Sequence, residues 1–114
     1  MSKQDSEKRP YVEGFEELVL GAVYRLKDDA YGVTIWQTLE ESGRKSALGA
    51  IYATLERLED KGFVKSRIGE ATKERGGRAK KFFEIEGLGI DALLESQRTR
   101  NHILPGVLIE REVC

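Results

Sequence analysis

The run GAIYATLERLEDKGFV, from Gly49 to Val64, sets apolar side chains on one helical edge and small ones on the other. A shorter amphipathic stretch precedes it, and a turn rich in glycine and basic residues follows it, between two strand-like runs. These three observations predict a mostly α fold with a small β-hairpin. The layout is a winged helix-turn-helix: a three-helix core, a two-stranded wing and a C-terminal dimerisation helix. At 114 residues the chain has room for one ordinary domain with short tails. The expected division is a flexible arm over 1–10, the helix-turn-helix and wing over 11–86, the dimerisation helix over 87–104 and a tail over 105–114.

Met1 to Pro10 is charged and aperiodic, as a loosely held arm would be. Phe15, Leu18, Val19, Ala22, Val23 and Leu26 then recur at helical spacing and lay down one stripe to be buried. Lys27 to Tyr31 breaks that pattern, and Gly32 opens a shorter helix with Val33, Ile35, Trp36 and Leu39. Gly43 is placed as its C-terminal cap, and Trp36 as a residue of the core or its rim. Gly43, Arg44 and Lys45 form the turn, and Ser46 is placed as N-cap of the next helix.

In that helix Leu48, Ile51, Leu55 and Leu58 make the apolar edge, with Tyr52 at its border. Ser46, Gly49, Ala50, Ala53 and Arg57 gather opposite, and Lys61-Gly62 closes the helix. Phe63 to Ile68 and Phe82 to Glu86 read as antiparallel strands around a loop from Glu70 to Ala79. Glu86 to Leu104 reads as a last helix with Leu88, Leu93, Leu94 and Ile103, ended by Pro105-Gly106. It is expected to pack on the first helix and on a second copy of itself, since most small homo-oligomers are two-fold dimers.

Charge separates along the chain although the net value is −1. Arg44 to Lys81 holds eleven Lys/Arg against five Asp/Glu, hence +6, and the remainder holds eight against fifteen, hence −7. A cationic segment in an otherwise acidic chain is what a phosphate footprint requires. Small side chains on one helical edge would let a backbone approach the floor of a major groove, and a cationic glycine-rich tip would reach phosphate. The candidate DNA-binding residues are therefore Arg44, Lys45, Ser46, Ala50, Ala53, Arg57, Lys73, Arg75, Arg78, Lys80 and Lys81. A solvated helix and hairpin with no ligand, or a module that holds an acidic protein partner, are the competing readings.

Other classes find little support. His102 is the single histidine and Cys114 the single cysteine, with no second His or Cys at metal-ligand spacing, so no cysteine-based metal cage can form and no cofactor is expected. Neither a Gly-x-Ser-x-Gly elbow nor a GxxxxGK[ST] loop occurs, and no enzymatic role is expected. The longest apolar run, Val19 to Val23, is far short of a bilayer span, and the N-terminal residues are polar; a cytoplasmic protein without membrane contact is expected.

Four blocks carry a resemblance: ELVLGAV (Glu17 to Val23), YGVTI (Tyr31 to Ile35), GAIYATLERLEDKGFV, and GGRAKKFFEI (Gly76 to Ile85) followed by Glu86-Gly87. In order and spacing they resemble the PadR family of bacterial transcriptional regulators. The resemblance implies a homodimeric winged-helix repressor of a pseudo-palindromic operator in double-stranded DNA. It also implies that the helix over Ser46 to Lys61 enters the major groove, the hairpin touches flanking backbone, Tyr52 lies near DNA and the last helix joins the dimer. The family's common aromatic at position 33 and proline at position 53 are replaced here by Val33 and Ala53. Some relatives bind flat aromatic effectors, but the last helix here contains no tryptophan, so a small-molecule effector is left unassigned.

Overall fold

A computed structural model describes residues 10–71 and 79–106. Its elements are α1 (Gly14–Leu26), a 3-10 turn (Lys27–Asp29), α2 (Gly32–Glu41), α3 (Leu48–Asp60), β1 (Val64–Ala71), β2 (Ala79–Ile85) and α4 (Gly87–Ile103). This is the predicted winged helix-turn-helix, mostly helical with a two-stranded antiparallel sheet. Among the described residues no helix is long and apolar enough to cross a membrane.

Two helices stop where the glycines require. After α2, the Gly43 N–H donates to the Glu40 carbonyl and the Arg44 N–H to that of Leu39, both at 3.0 Å, with Gly43 at φ +95°. After α3, Gly62 and Phe63 repeat the same pair of bonds on Glu59 and Leu58, with Gly62 at φ +81°. Both are Schellman closures, in which a residue without Cβ takes the left-handed conformation and lets the last carbonyls find donors.

The core joins Val19, Leu20 and Val23 of α1 to Ile35 and Leu39 of α2 and to Ile51, Leu55 and Leu58 of α3, with Val64 and Phe83 from the sheet. The stripe expected on α1 is therefore partly misplaced. Leu20 is fully buried, whereas Leu18 is 40% exposed and borders a groove beside α4. A helix packed on several sides turns more than one edge inward, and a single-stripe reading fails there.

The last helix packs on α1 as expected, but through small side chains. It buries Gly89, Ala92 and Ser96, while Leu88, Leu94 and Ile103 stay exposed and Leu93 lies at the edge of the core. Small residues allow a close approach: a Cβ on Gly89 would sit 2.3 Å from the Phe63 carbonyl oxygen. That carbonyl also accepts the Glu86 N–H at 2.8 Å, so the start of α4 is latched to the start of the wing. Further along, Ser96 Oγ donates to the Val12 carbonyl and Arg100 pairs with Glu17, holding α4 to α1 and the segment before it.

Both strands outrun the apolar residues that suggested them. β1 extends to Ala71 and β2 begins at Ala79, with Val64 opposite Ile85, Ile68 opposite Lys81 and an irregularity between Ile68 and Ala71. Ladder bonds involve only the backbone, so pairing runs through Lys81 and resumes at Ala79 beyond the irregularity opposite Lys80, whatever the side chains do. A third segment adds to β2: the Phe83 N–H donates to the Ala30 carbonyl at 2.8 Å, and Tyr31 bridges Phe82.

Candidate nucleic-acid interface

The outer face of α3 is nearly bare. Ile51, Thr54, Leu55 and Leu58 are buried, and the side pointing away from them shows Gly49, Ala50, Ala53, Glu56, Arg57 and Asp60. A Cβ added at Gly49 would meet nothing within 4 Å. The helix thus presents backbone and methyl groups over its first two turns, a shape that fits close against a flat or grooved surface.

Tyr52 is held at one margin of this face. It is 48% exposed, yet its ring lies across the first residue of α2: a Cβ on Gly32 would be 2.3 Å from the phenol oxygen. Glycine at position 32 is what lets the phenol rest at the N-terminus of α2. The same terminus is ordered by Thr34, whose hydroxyl accepts the Tyr31 N–H at 2.9 Å and donates to the Asp29 carbonyl at 2.6 Å. The sequence marks Gly32 only as the start of a helix; its need to be glycine comes from a side chain twenty positions away.

The wing reaches this region through two lysines that point to opposite sides. Lys81 shares a face of β2 with buried Phe83, its ammonium 5.6 Å from the ring centroid, and lines a cleft of about 330 Å³ with Tyr52, Ala53, Glu56 and Glu59. Lys80 lies 4.4 Å from the centroid of the Tyr31 ring and donates to the Tyr31 hydroxyl at 3.3 Å. Tyr31 in turn meets Phe82 edge to face at 5.2 Å, and Arg67 covers the other ring at 4.7 Å. Cation–aromatic stacking of this sort fixes where the charges stand while leaving them hydrated.

The other expected residues fall in different places. Lys73, Arg75 and Arg78 lie outside the described residues. Arg44 and Lys45 occupy the exposed turn before α3; Arg44 sits over the Phe15 ring at 5.2 Å and Lys45 is 3.7 Å from Glu40. Ser46 is not the N-cap of α3. That position belongs to Ala47, and the Ser46 carbonyl accepts the Trp36 indole N–H at 2.9 Å. With its peptide committed to α2, Ser46 turns its hydroxyl inward, buried and without a hydrogen-bond partner among the described residues. Trp36 is accordingly a half-buried clamp between α2 and the turn.

Arg57 faces α1. Its Nε lies 3.3 Å from Glu16, whose second oxygen accepts from Lys61 at 2.8 Å, and its terminal nitrogen donates to Thr54. Partial burial raises the Glu16 pKa, but the Lys61 and Arg57 bonds and charges outweigh it and hold the carboxyl below its ordinary value of 4.5. Stability from this triad is therefore present above that value and lost as pH falls through the lowered one. Glu16→Gln is expected to cost on the order of 1 kcal/mol or less near neutral pH, because both cations are about half exposed. The deficit relative to the unsubstituted protein should shrink below about pH 4.5 in urea titrations; a constant deficit down to acid pH would contradict the ion-pair account.

Among the described residues no group of histidines, cysteines or carboxylates is disposed to hold a metal ion. Solved structures of similar fold bear on what the bare helix and wing belong to. The fold matches a PadR-like transcription factor from Bacteroides fragilis with a TM-score of 0.69 at 23% identity, over 81% of this chain and 84% of that one. A PadR family transcription regulator from Clostridium difficile matches at 0.66 and 23% identity, over 89% of this chain and 100% of that one. Bacillus subtilis PadR, solved in complex with operator DNA, matches at 0.61 and 21% identity, over 72% of this chain and 46% of that one. No curated protein matches the chain in sequence. The PadR-like family model aligns with residues 19–95, from within α1 through the wing and into α4, and on that match this chain belongs to the PadR-like family of transcriptional regulators.

Proposed function

We propose that the protein binds a pseudo-palindromic operator as a homodimer and represses transcription by occluding it. The observation that carries the reading is the bare outer face of α3 placed beside the wing lysine Lys81 in one cleft. Helix α3 enters the major groove, Ala50 and Ala53 lie against base edges, and Tyr52 meets the backbone at the groove margin. Arg44, Lys45, Lys73, Arg75, Arg78, Lys80 and Lys81 supply attraction to phosphate that is indifferent to sequence. The Bacillus subtilis relative solved with operator DNA supports duplex DNA as the ligand.

The dimer is supported by exposed Leu18, Ile90 and Leu94 around a groove of about 610 Å³ between α1 and α4. An apolar stretch of this kind on a small domain is stabilised by a second copy. Two α3 helices then occupy successive major grooves, and polymerase is excluded. A protein-interaction module built from the same wing and helix is the second reading.

Titration of a labelled duplex from the protein's own promoter region, followed by fluorescence anisotropy at two salt concentrations, tests the proposal. Binding in the nanomolar range is expected, with log affinity falling against log salt at a slope near −5 if a dimer neutralises about six phosphates. Absence of duplex binding by a protein that still sediments as a dimer would favour the protein-interaction module.

A further inference from the structure

The outward ridge of α3 runs through Gly49, Ala53, Glu56 and Asp60, directly opposite the buried edge. Gly49 and Ala53 have no hydrogen-bonding side chain, so Glu56 is the first residue along the ridge that does. It stands about 4.5 Å beyond Ala53 along the helix axis at 1.5 Å per residue. Glu56 is exposed, lines the cleft shared with Lys81, and makes no hydrogen bond or ion pair among the described residues.

Of the carboxylates nearby, Glu59 accepts from Ser66 at 2.8 Å, Glu84 pairs with Arg67, and Glu16 holds Arg57 and Lys61, while Asp60, a turn further along the ridge, is unpaired among the described residues like Glu56. Although Lys81 lines the same cleft, no cation forms an ion pair with Glu56 among the described residues. Its neighbours at i+3 and i+4 are Glu59 and Asp60, which repel it, and Tyr52 and Ala53 on the preceding turn offer no cation.

A free carboxylate on a helix that meets DNA is repelled by phosphate unless it finds a donor. On the floor of the major groove only cytosine N4 and adenine N6 donate; guanine O6 and N7 and thymine O4 are acceptors and turn an ionised carboxylate away. Adenine sets the N7 acceptor beside its donor and repels the second carboxylate oxygen, whereas cytosine does not. The geometry points to Glu56 as a specificity-determining residue that accepts from cytosine N4 at one C·G pair of each half-site and weakens binding to all other DNA. The inference rests on the DNA-binding reading above and adds the base that is read.

The experiment is selection from a randomised 24-base-pair duplex library with the full-length protein and its Glu56→Gln and Glu56→Ala variants, each checked for an unchanged fold by circular dichroism. The unsubstituted protein is expected to enrich a motif with one strongly preferred C·G pair per half-site. In Glu56→Gln that pair should change to A·T, since glutamine bridges adenine N6 and N7, with the other positions unchanged. In Glu56→Ala the preference there should fall from roughly ten-fold to within two-fold, and affinity for a fixed duplex lacking the motif should rise several-fold at low salt. If all three proteins enrich one motif and hold non-specific duplex equally, the assignment to Glu56 is overturned while DNA binding stands. If the unsubstituted protein retains no duplex at all, the DNA-binding reading falls and takes the assignment with it.

Discussion

Replacing Gly89 by alanine should destabilise the protein by about 3 kcal/mol, which for a domain of this size lowers the melting temperature by roughly 10–20 °C. The added methyl would meet the Phe63 carbonyl oxygen at 2.3 Å and Ile85 Cγ1 at 2.9 Å. An isoleucine side chain can rotate away; a backbone carbonyl that already accepts the Glu86 N–H cannot move without breaking that bond. The start of α4 has to lift from the start of β1, so a packing clash and a broken hydrogen bond add together. Gly49→Ala is the matched control, because the same chemical change at an exposed helical position meets nothing and gains helix propensity worth up to about 1 kcal/mol. Urea unfolding followed by circular dichroism distinguishes the two. A Gly89→Ala protein within 0.5 kcal/mol of the parent would show that the latch between α4 and the wing is loose.

That latch marks where the sequence stops being informative. Gly43 and Gly62 were legible as helix ends because a Schellman closure is a local event, completed within six residues by backbone bonds. Periodicity placed α2, α3 and α4 well for the same reason. Gly32, Gly69 and Gly89 carry no local signature. Each is required by a partner distant in sequence: Tyr52 for Gly32, Phe82 for Gly69 and Phe63 for Gly89.

Side-chain roles in the candidate interface divide along the same line. The cationic segment and the bare helical edge were readable from composition and spacing. The pairing of Arg57 with Glu16, across 41 positions, was not, and it turns toward α1 a cation expected beside phosphate. Ser46 reads as an N-cap by residue type, but the indole of Trp36 claims its carbonyl and shifts the helix start to the next residue. A lone carboxylate on an exposed helix reads as a solvated residue, so spacing and composition do not mark Glu56. Its place makes it distinctive: it is the first hydrogen-bonding side chain on the outward ridge beyond Gly49 and Ala53.

Ala53 offers the sharpest separation between reading bases and attracting phosphate. Its Cβ points away from the core into the cleft with Tyr52, Glu56 and Lys81, so a longer side chain there would be tolerated by the fold and would change stability by only about 0.5 kcal/mol. Against a duplex the same side chain holds the helix off the groove floor. Contacts to base edges are lost in both Ala53→Glu and Ala53→Lys, and affinity for the operator should drop by about 100-fold in each. The two variants part on DNA that lacks the operator. Lysine adds a phosphate contact and should keep or raise the non-specific affinity with a steeper salt slope, whereas glutamate should weaken it and flatten the slope. Anisotropy titrations of both duplexes at two salt concentrations give all four quantities. Operator affinity unchanged in both variants would mean that α3 does not enter the groove. Equal losses on both duplexes would mean that Ala53 reads no base and that its substitution disturbs a contact common to all DNA.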